Sequence, residues 1–431
     1  MLKGKIHGLL CGVLMFLSVS LPCLDSLTPG RYSVAAGEPF QFNFPFAVEK
    51  NLAFFSKDES GRLTGTGGGQ PGSFVAAEPG LYTLKVRLFG FIPLKDVVVN
   101  VLPQIKVIPG GQSIGVLMHP QGIIVVGSSA VTGQAGHKNS PAFDAGLKPG
   151  DVILKIDAVP MQSEEAVRSM VDRAGEAGRP LLVQYKRGNE LLTAKIDPVY
   201  CSETAHYRIG LLIRDVAAGL GTMTFYEPES MVYGALGHVI TDGETARPLE
   251  IADGKIVGAV VQGIHLGKRG QPGEKIGMFL NDGRIAGGIT KNTRLGIFGR
   301  LQQTPGPANT EPVPVAAAAQ VHEGPAEILT VLKGDQVEKF AVEIIRLNPG
   351  ARADGKGMVL KITDPRLIEE TGGIIQGMSG SPILQDGKLA GAVTHVFVKD
   401  PLRGFGTFAE WMLWEAGILS EQSGQEQKLA G

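Results

Sequence analysis

Three stretches of this chain share one pattern: DGKIVGAVV from Asp253, DGRIAGGIT from Asp282 and DGKLAGAVT from Asp386. Each puts Asp-Gly between apolar runs, and both residues tolerate the positive φ that a two-residue hairpin turn demands. Recurrent hairpins with Val, Ile and small residues predict antiparallel barrels and argue against a parallel sheet. Composition agrees, since 60 glycines and 27 prolines against 6% aromatic residues favour short strands and many turns over helical bundles. Between the second and third stretch lies QQTPGPANTEPVPVAAAAQVHEGPAE (302–327), rich in proline and alanine, which reads as an extended crossover. Two strand-rich lobes joined by a connector are the implied layout.

The 431 residues suffice for about two to four domains that each bury a core. The 41 Lys+Arg balance 42 Asp+Glu at a net charge of -1, so there is no basic excess to call for nucleic acid. MLKGK carries two lysines, and the run from Ile6 to Leu24 is then apolar apart from His7. Residues 1–24 thus suit a signal peptide or membrane anchor whose lysines stay inside, with the chain beyond Asp25 exported. No A-x-A-like site comes after the run, which favours a retained anchor. Cys11 and Cys23 lie in this segment and Cys201 stands alone beyond it. The exported part therefore has neither a disulfide framework nor zinc-type spacing, and no metal or cofactor is expected. Period-two alternation, as in PFQFNFPF, marks 25–104 as a strand-rich spacer module, and polar SEQSGQEQKLAG (420–431) reads as a flexible tail.

Residues 105–199 have a different order. SPAFDAGLKPGDVILKIDAVPM (140–161) predicts a short helix over Pro141 to Ala145, a glycine stop and a strand. EEAVRSMVDRAG (164–175) predicts an amphipathic helix, and PLLVQYKRGNELLTAKI a hairpin turning at Arg187-Gly188-Asn189. This order, with AGLKPGDVI at its heart, resembles a PDZ domain. The resemblance implies capture of an extended peptide at a sheet edge. It places the carboxylate-binding loop at Gln112, Ser113, Ile114, Gly115 and Val116, with a groove through Leu117. A PDZ domain used only for intramolecular docking is the other reading.

Within 200–419, IIQGMSGSPILQ (374–385) presents Ser379 between Gly377 and Gly380. A serine hydroxyl becomes a nucleophile when a base takes its proton and amides stabilise the oxyanion. Flanking glycines let the amides of Gly377 and Ser379 point into the same space as the hydroxyl, in the Gly-x-Ser-Gly arrangement of chymotrypsin-like barrels. Ser381, which precedes Pro382, is the competing serine. The histidines available as base are His206, His238, His265, His322 and His395. Of these, His238 in MVYGALGHVITDGET stands at a strand end after Gly237, as a positioned general base requires. A core histidine bonded to backbone is the alternative.

GALGHVITD, KITDPRLIEETGGIIQGMSGSPILQDGKLAGAVTHVFVKDP and KVIPGGQSIGV together resemble the stage IV sporulation protein B (SpoIVB) serine peptidase family. The likeness implies a chymotrypsin-like double β-barrel peptidase domain at 200–419 behind the PDZ domain. It implies Ser379 as nucleophile, His238 as base and Asp364, in KITDPRL, as the acid that orients the imidazole. Asp364 before Pro365 equally reads as a helix N-cap, and Asp242 is the rival acid. His395, on the strand after the 386–387 hairpin, is a possible specificity-pocket residue. The family further implies an exported sporulation protease that cuts itself and a membrane-bound regulator of an intramembrane protease, leading to activation of a late sigma factor. A PDZ adaptor with a catalytically idle peptidase fold is the alternative function.

Overall fold

The computed structural model describes residues 31–41, 52–53, 73–75, 78–88, 92–133, 136, 138–241, 248–280, 283–305, 311–348 and 355–419. The anchor expected at 1–24 and the tail expected at 420–431 lie outside these residues. Among the described residues no helix is long and apolar enough to cross a membrane.

The first module is a sheet in which β1 (Arg31–Ala35) runs parallel to β3 (Ile92–Leu102), and β3 pairs antiparallel with β2 (Gly80–Leu88). It docks on the C-terminal half, where the Glu38 carboxylate meets Lys388 and the Gln320 amide.

The chain then enters a barrel through β4 (Lys106–Pro109) and β5 (Ser113–Pro120). It leaves at once for the PDZ domain: β6 (Ile123–Ser128), α1 (Pro141–Asp144), β7 (Val152–Ile156), α2 (Glu164–Glu176), β8 (Leu181–Arg187), β9 (Glu190–Ile196) and β10 (Leu211–Arg214). Ser163 caps α2 by accepting from Ala166 N–H, and Val167 and Val171 bury its apolar face with Ile123, Ile153 and Val183. The sheet order is β9-β8-β7-β6-β10.

Three residues after Arg214 the chain re-enters the barrel with β11 (Ala217–Tyr226), then β12 (Val232–Ala235), β13 (Ile251–His265), β14 (Glu274–Leu280), β15 (Ala286–Thr293) and β16 (Gly296–Leu301). Strands β5, β11, β12, β16, β15 and β13 close on themselves around Ile114, Met118, Met223, Tyr233 and Ile256. The second barrel comprises β17 (Gly324–Val331), β18 (Val337–Leu347), β19 (Met358–Ile362), β20 (Pro382–Gln385), β21 (Lys388–Phe397) and β22 (Asp400–Phe408), around Ile328, Phe340, Leu360, Ile383 and Val393. Helix α3 (Pro365–Thr371) precedes the serine loop and α4 (Ala409–Ala416) ends the described chain.

This topology corrects two expectations. Residues 106–120 belong to the peptidase barrel, and the PDZ domain is inserted between β5 and β11, borrowing 211–214 as its edge strand. Gln112, Ser113, Ile114, Gly115 and Val116 therefore do not form a PDZ carboxylate loop: Ser113–Val116 pair with β11 on one side, and Ile114–Val116 with β13 on the other. Asp253-Gly254 also fails as a turn, since both residues lie inside β13. There a side chain on Gly254 would approach Ile289 Cβ at 3.2 Å, so the glycine serves strand packing. Asp386 and Gly387 do make the hairpin, with φ of 51° and 75°.

Candidate active site

The serine loop and the histidine loop meet at the seam of the two barrels. Leu236 and Gly237 both adopt left-handed φ, 68° and 71°, which turns the chain sharply at the end of β12 and delivers His238. A leucine in that region is strained and persists only where its surroundings impose it. The surroundings are the serine loop, since a Cβ on Gly380 would lie 2.5 Å from Leu236 N and 2.0 Å from Thr222 O. Only glycine permits this backbone contact, one residue after Ser379.

Strand β11 holds the serine loop from the side. Thr222 N–H donates to the Ser379 carbonyl at 3.0 Å, its hydroxyl to the Gly377 carbonyl at 2.7 Å, and the Thr224 hydroxyl to the Gly380 carbonyl at 2.8 Å. On the other flank, Gln376 N–H donates to Gly273 O at 2.8 Å and Lys275 N–H to Gln376 O at 3.0 Å. Met378, Gly380 and Ser381 N–H groups donate to Ile375, Val393 and Met378 carbonyls. Among the described residues the amides of Gly377 and Ser379 alone in the run 376–381 have no acceptor. Because a peptide's N–H and C=O point opposite ways, the Gln376 carbonyl bonded to Lys275 turns the Gly377 N–H to the other side. These are the two amides that the sequence suggests for an oxyanion.

His238 is half-buried, and its Nδ1–H donates to the Val239 carbonyl at 2.9 Å. A carbonyl only accepts, so the neutral ring carries its proton on Nδ1 and leaves a lone pair on Nε2, the form a general base needs. Burial holds this imidazole below its ordinary pKa, with the Val239 hydrogen bond opposing. The half-buried Ser379 makes no side-chain hydrogen bond among the described residues, to His238 or otherwise. Catalytic hydrogen bonds often close only around substrate.

His395 is exposed at the rim, its ring 4.9 Å from that of His238. The competing Ser381 is fully buried and so shielded from substrate. Asp364 is found as the N-cap of α3: its carboxylate accepts from Arg366, Leu367 and Ala341 amides at 3.0, 3.1 and 3.3 Å. It makes no hydrogen bond to a histidine among the described residues, and the rival Asp242 lies outside them. No group of three or more metal-ligating side chains occurs among the described residues. The sequence reading missed Thr222, Thr224 and Lys275. The period-two spacing of the hydroxyls in GTMTFY put them on one strand face, but nothing local said what that face would meet.

Residues 205–413 match the family described as SpoIVB peptidase S55, and residues 114–197 match the PDZ domain family. A protein of Clostridium perfringens (strain 13 / Type A) named "Putative zinc metalloprotease CPE1693" is 33% identical over 95 residues, 21% of this chain. The chain spans 28% of the length of that relative. Among solved structures, the active form of the Rv3671c protease from M. tuberculosis is 15% identical with a TM-score of 0.28, covering 47% of this chain and 75% of that one. The PDZ domain of the SdrC-like protein (Lmo2051) from Listeria monocytogenes is 23% identical with a TM-score of 0.18, covering 22% of this chain and 90% of that one. With its serine loop and histidine turn inside the segment that matches SpoIVB peptidase S55, the chain carries a serine peptidase domain similar to that family, with a PDZ domain set into the first barrel.

Proposed function

We propose that the chain is an exported, membrane-anchored serine endopeptidase. Ser379 attacks the scissile carbonyl, His238 Nε2 takes its proton, and the Gly377 and Ser379 amides hold the oxyanion. The observation that carries this reading is that these two amides are spared while Gln376, Met378, Gly380 and Ser381 all donate within the chain. The Val239 carbonyl fixes the tautomer of His238, the orienting role that the family likeness gives to Asp364. His395, beside the base at the rim, contacts the substrate residue before the cut.

The family likeness extends the reading to sporulation signalling in the space between forespore and mother cell. The enzyme cuts itself near its N-terminus and cuts a membrane-bound regulator of an intramembrane protease, which leads to late sigma-factor activation. The PDZ domain takes an extended peptide by strand addition at β10, whose Leu211 and Ile213 pack toward α2 while Leu212 and Arg214 face outward.

A fluorophosphonate probe tests the chemistry. It labels the wild type at Ser379 and labels neither Ser379→Ala nor His238→Ala. Peptide binding by a folded wild type that takes no label would favour the adaptor reading. Mass spectrometry of the released N-terminus tests self-processing, which Ser379→Ala should lack.

A further inference from the structure

Lys275 is 5% exposed and sits directly behind the loop that bears the spared amides. Its Nζ lies 2.8 Å from the hydroxyl of Thr330 on β17, itself fully buried. Its stem runs along Gly377: a Cβ there, where φ is +91°, would stand 3.1 Å from both Cβ and Cδ of Lys275 and 3.2 Å from Cγ. Its main-chain N–H holds the Gln376 carbonyl. One residue thus grips the Gln376–Gly377 peptide by backbone and stem, while its head group is anchored in the opposite barrel.

Among the described residues no charge partners this amine. On its own strand Glu274 pairs with His265 of the neighbouring β13 on the exposed side, 3.1 Å apart. On β17 the nearest carboxylate in sequence, Glu327, is exposed and pairs with Lys339. The serine loop from 372 to 381 contains no titratable side chain other than hydroxyls. A buried lysine without a counter-charge is costly to keep charged, and costly to keep at all unless it serves a purpose.

We propose that Lys275 is the positioning residue of the oxyanion hole, keeping the Gly377 N–H turned toward the reacting carbonyl through a side chain tethered to Thr330. The inference rests on the peptidase reading above. Burial pushes the amine down to about 7, so it is neutral in mildly alkaline solution and gains its proton as the pH falls through neutrality. An ammonium leaves the apolar seam for water and draws the Gln376–Gly377 peptide with it. Activity then falls near neutrality, before His238 is protonated.

The test compares pH profiles of kcat and KM for the wild type, Lys275→Met and Thr330→Val, with fluorophosphonate labelling and melting curves recorded alongside. Lys275→Met keeps the stem and loses the tether. Its kcat at pH 8.5 should fall about tenfold with KM unchanged, less than the ~10² expected for losing an oxyanion donor outright. The acid limb of its remaining activity should move from about 7 to below 6.5. Thr330→Val should lower kcat with KM unchanged, and decides the matter if Lys275→Met does not fold. A Lys275→Met profile that coincides with the wild type, or an unchanged kcat in Thr330→Val, would overturn the proposal. Failure of the wild type itself to take label would overturn the peptidase reading, and this one with it.

Discussion

The Thr222 hydroxyl reaches from the first barrel to the Gly377 carbonyl at 2.7 Å, while the amide of the same threonine holds the Ser379 carbonyl. A single residue of β11 therefore sets the orientation of two peptides, Gly377–Met378 and Ser379–Gly380. The serine loop is built in the second barrel and held by the first.

Thr222→Val removes the hydroxyl at nearly constant shape and leaves the buried Gly377 carbonyl unpaired. The expected cost is about 1–3 kcal/mol of stability. A fall in kcat of about tenfold or more should accompany it, because the Gly377–Met378 peptide, which lies between the two oxyanion amides, then keeps only the Met378 N–H bond to Ile375. Denaturant melts and steady-state kinetics measure the two effects separately.

His238 should titrate below its ordinary value, because burial opposes its charged form more than the Val239 carbonyl favours it. As the pH falls the unfolded state therefore binds the proton first, and this group costs stability from about pH 6.5 down toward its folded pKa. An NMR titration of the ring in Ser379→Ala checks the direction, and a midpoint above 6.5 would contradict the burial argument.

Asp364→Asn should leave both melting temperature and kcat nearly unchanged, since asparagine caps a helix as well as aspartate does. Asp364→Ala should cost about 1 kcal/mol through the lost cap on α3. A severe loss of kcat in Asp364→Asn at unchanged melting temperature would restore the carboxylate as triad acid. Asp242→Asn, measured in parallel, shows whether the segment after His238 supplies it.

Gly115→Val would bring a side chain within 2.5 Å of the Phe279 ring. Overpacking of this kind costs about 1–3 kcal/mol. Calorimetry should show the peptidase barrel destabilised, while isothermal titration of a peptide onto the PDZ domain should give an unchanged Kd. Weakened peptide binding without a stability change would return the loop to the PDZ domain.

The legible parts of this fold were local. The α2 helix at Glu164–Glu176, the turn at Gly188 and the hairpin at Asp386-Gly387 stand where spacing and turn chemistry put them. The insertion was not legible, because Ile114-Gly115-Val116 and Ile209-Gly210-Leu211 carry the same apolar-Gly-apolar signature. Only tertiary pairing shows that the first is a barrel strand and the second leads into the PDZ edge. Asp253-Gly254 misled for a related reason: its glycine answers to Ile289 across the sheet, a neighbour 35 positions away. At the candidate site, the glycines around Ser379 and before His238 are what single these residues out in the sequence. Lys275 carries no such local signal, since its contacts are with Thr330 and Gly377, 55 and 102 positions downstream.

Both ends of the PDZ domain are continuous with neighbouring strands, β5 and β11, of one closed barrel. A single nick in either connection leaves the domain attached, so processing cannot shed it the way a terminal module is shed. Conversely, a short loop from Pro120 to Ala217 would excise it whole and join two strands already hydrogen-bonded side by side. Arg214 at the PDZ edge stands eight residues before Thr222, which holds the serine loop, so the PDZ edge and the serine loop are neighbours along one covalent thread.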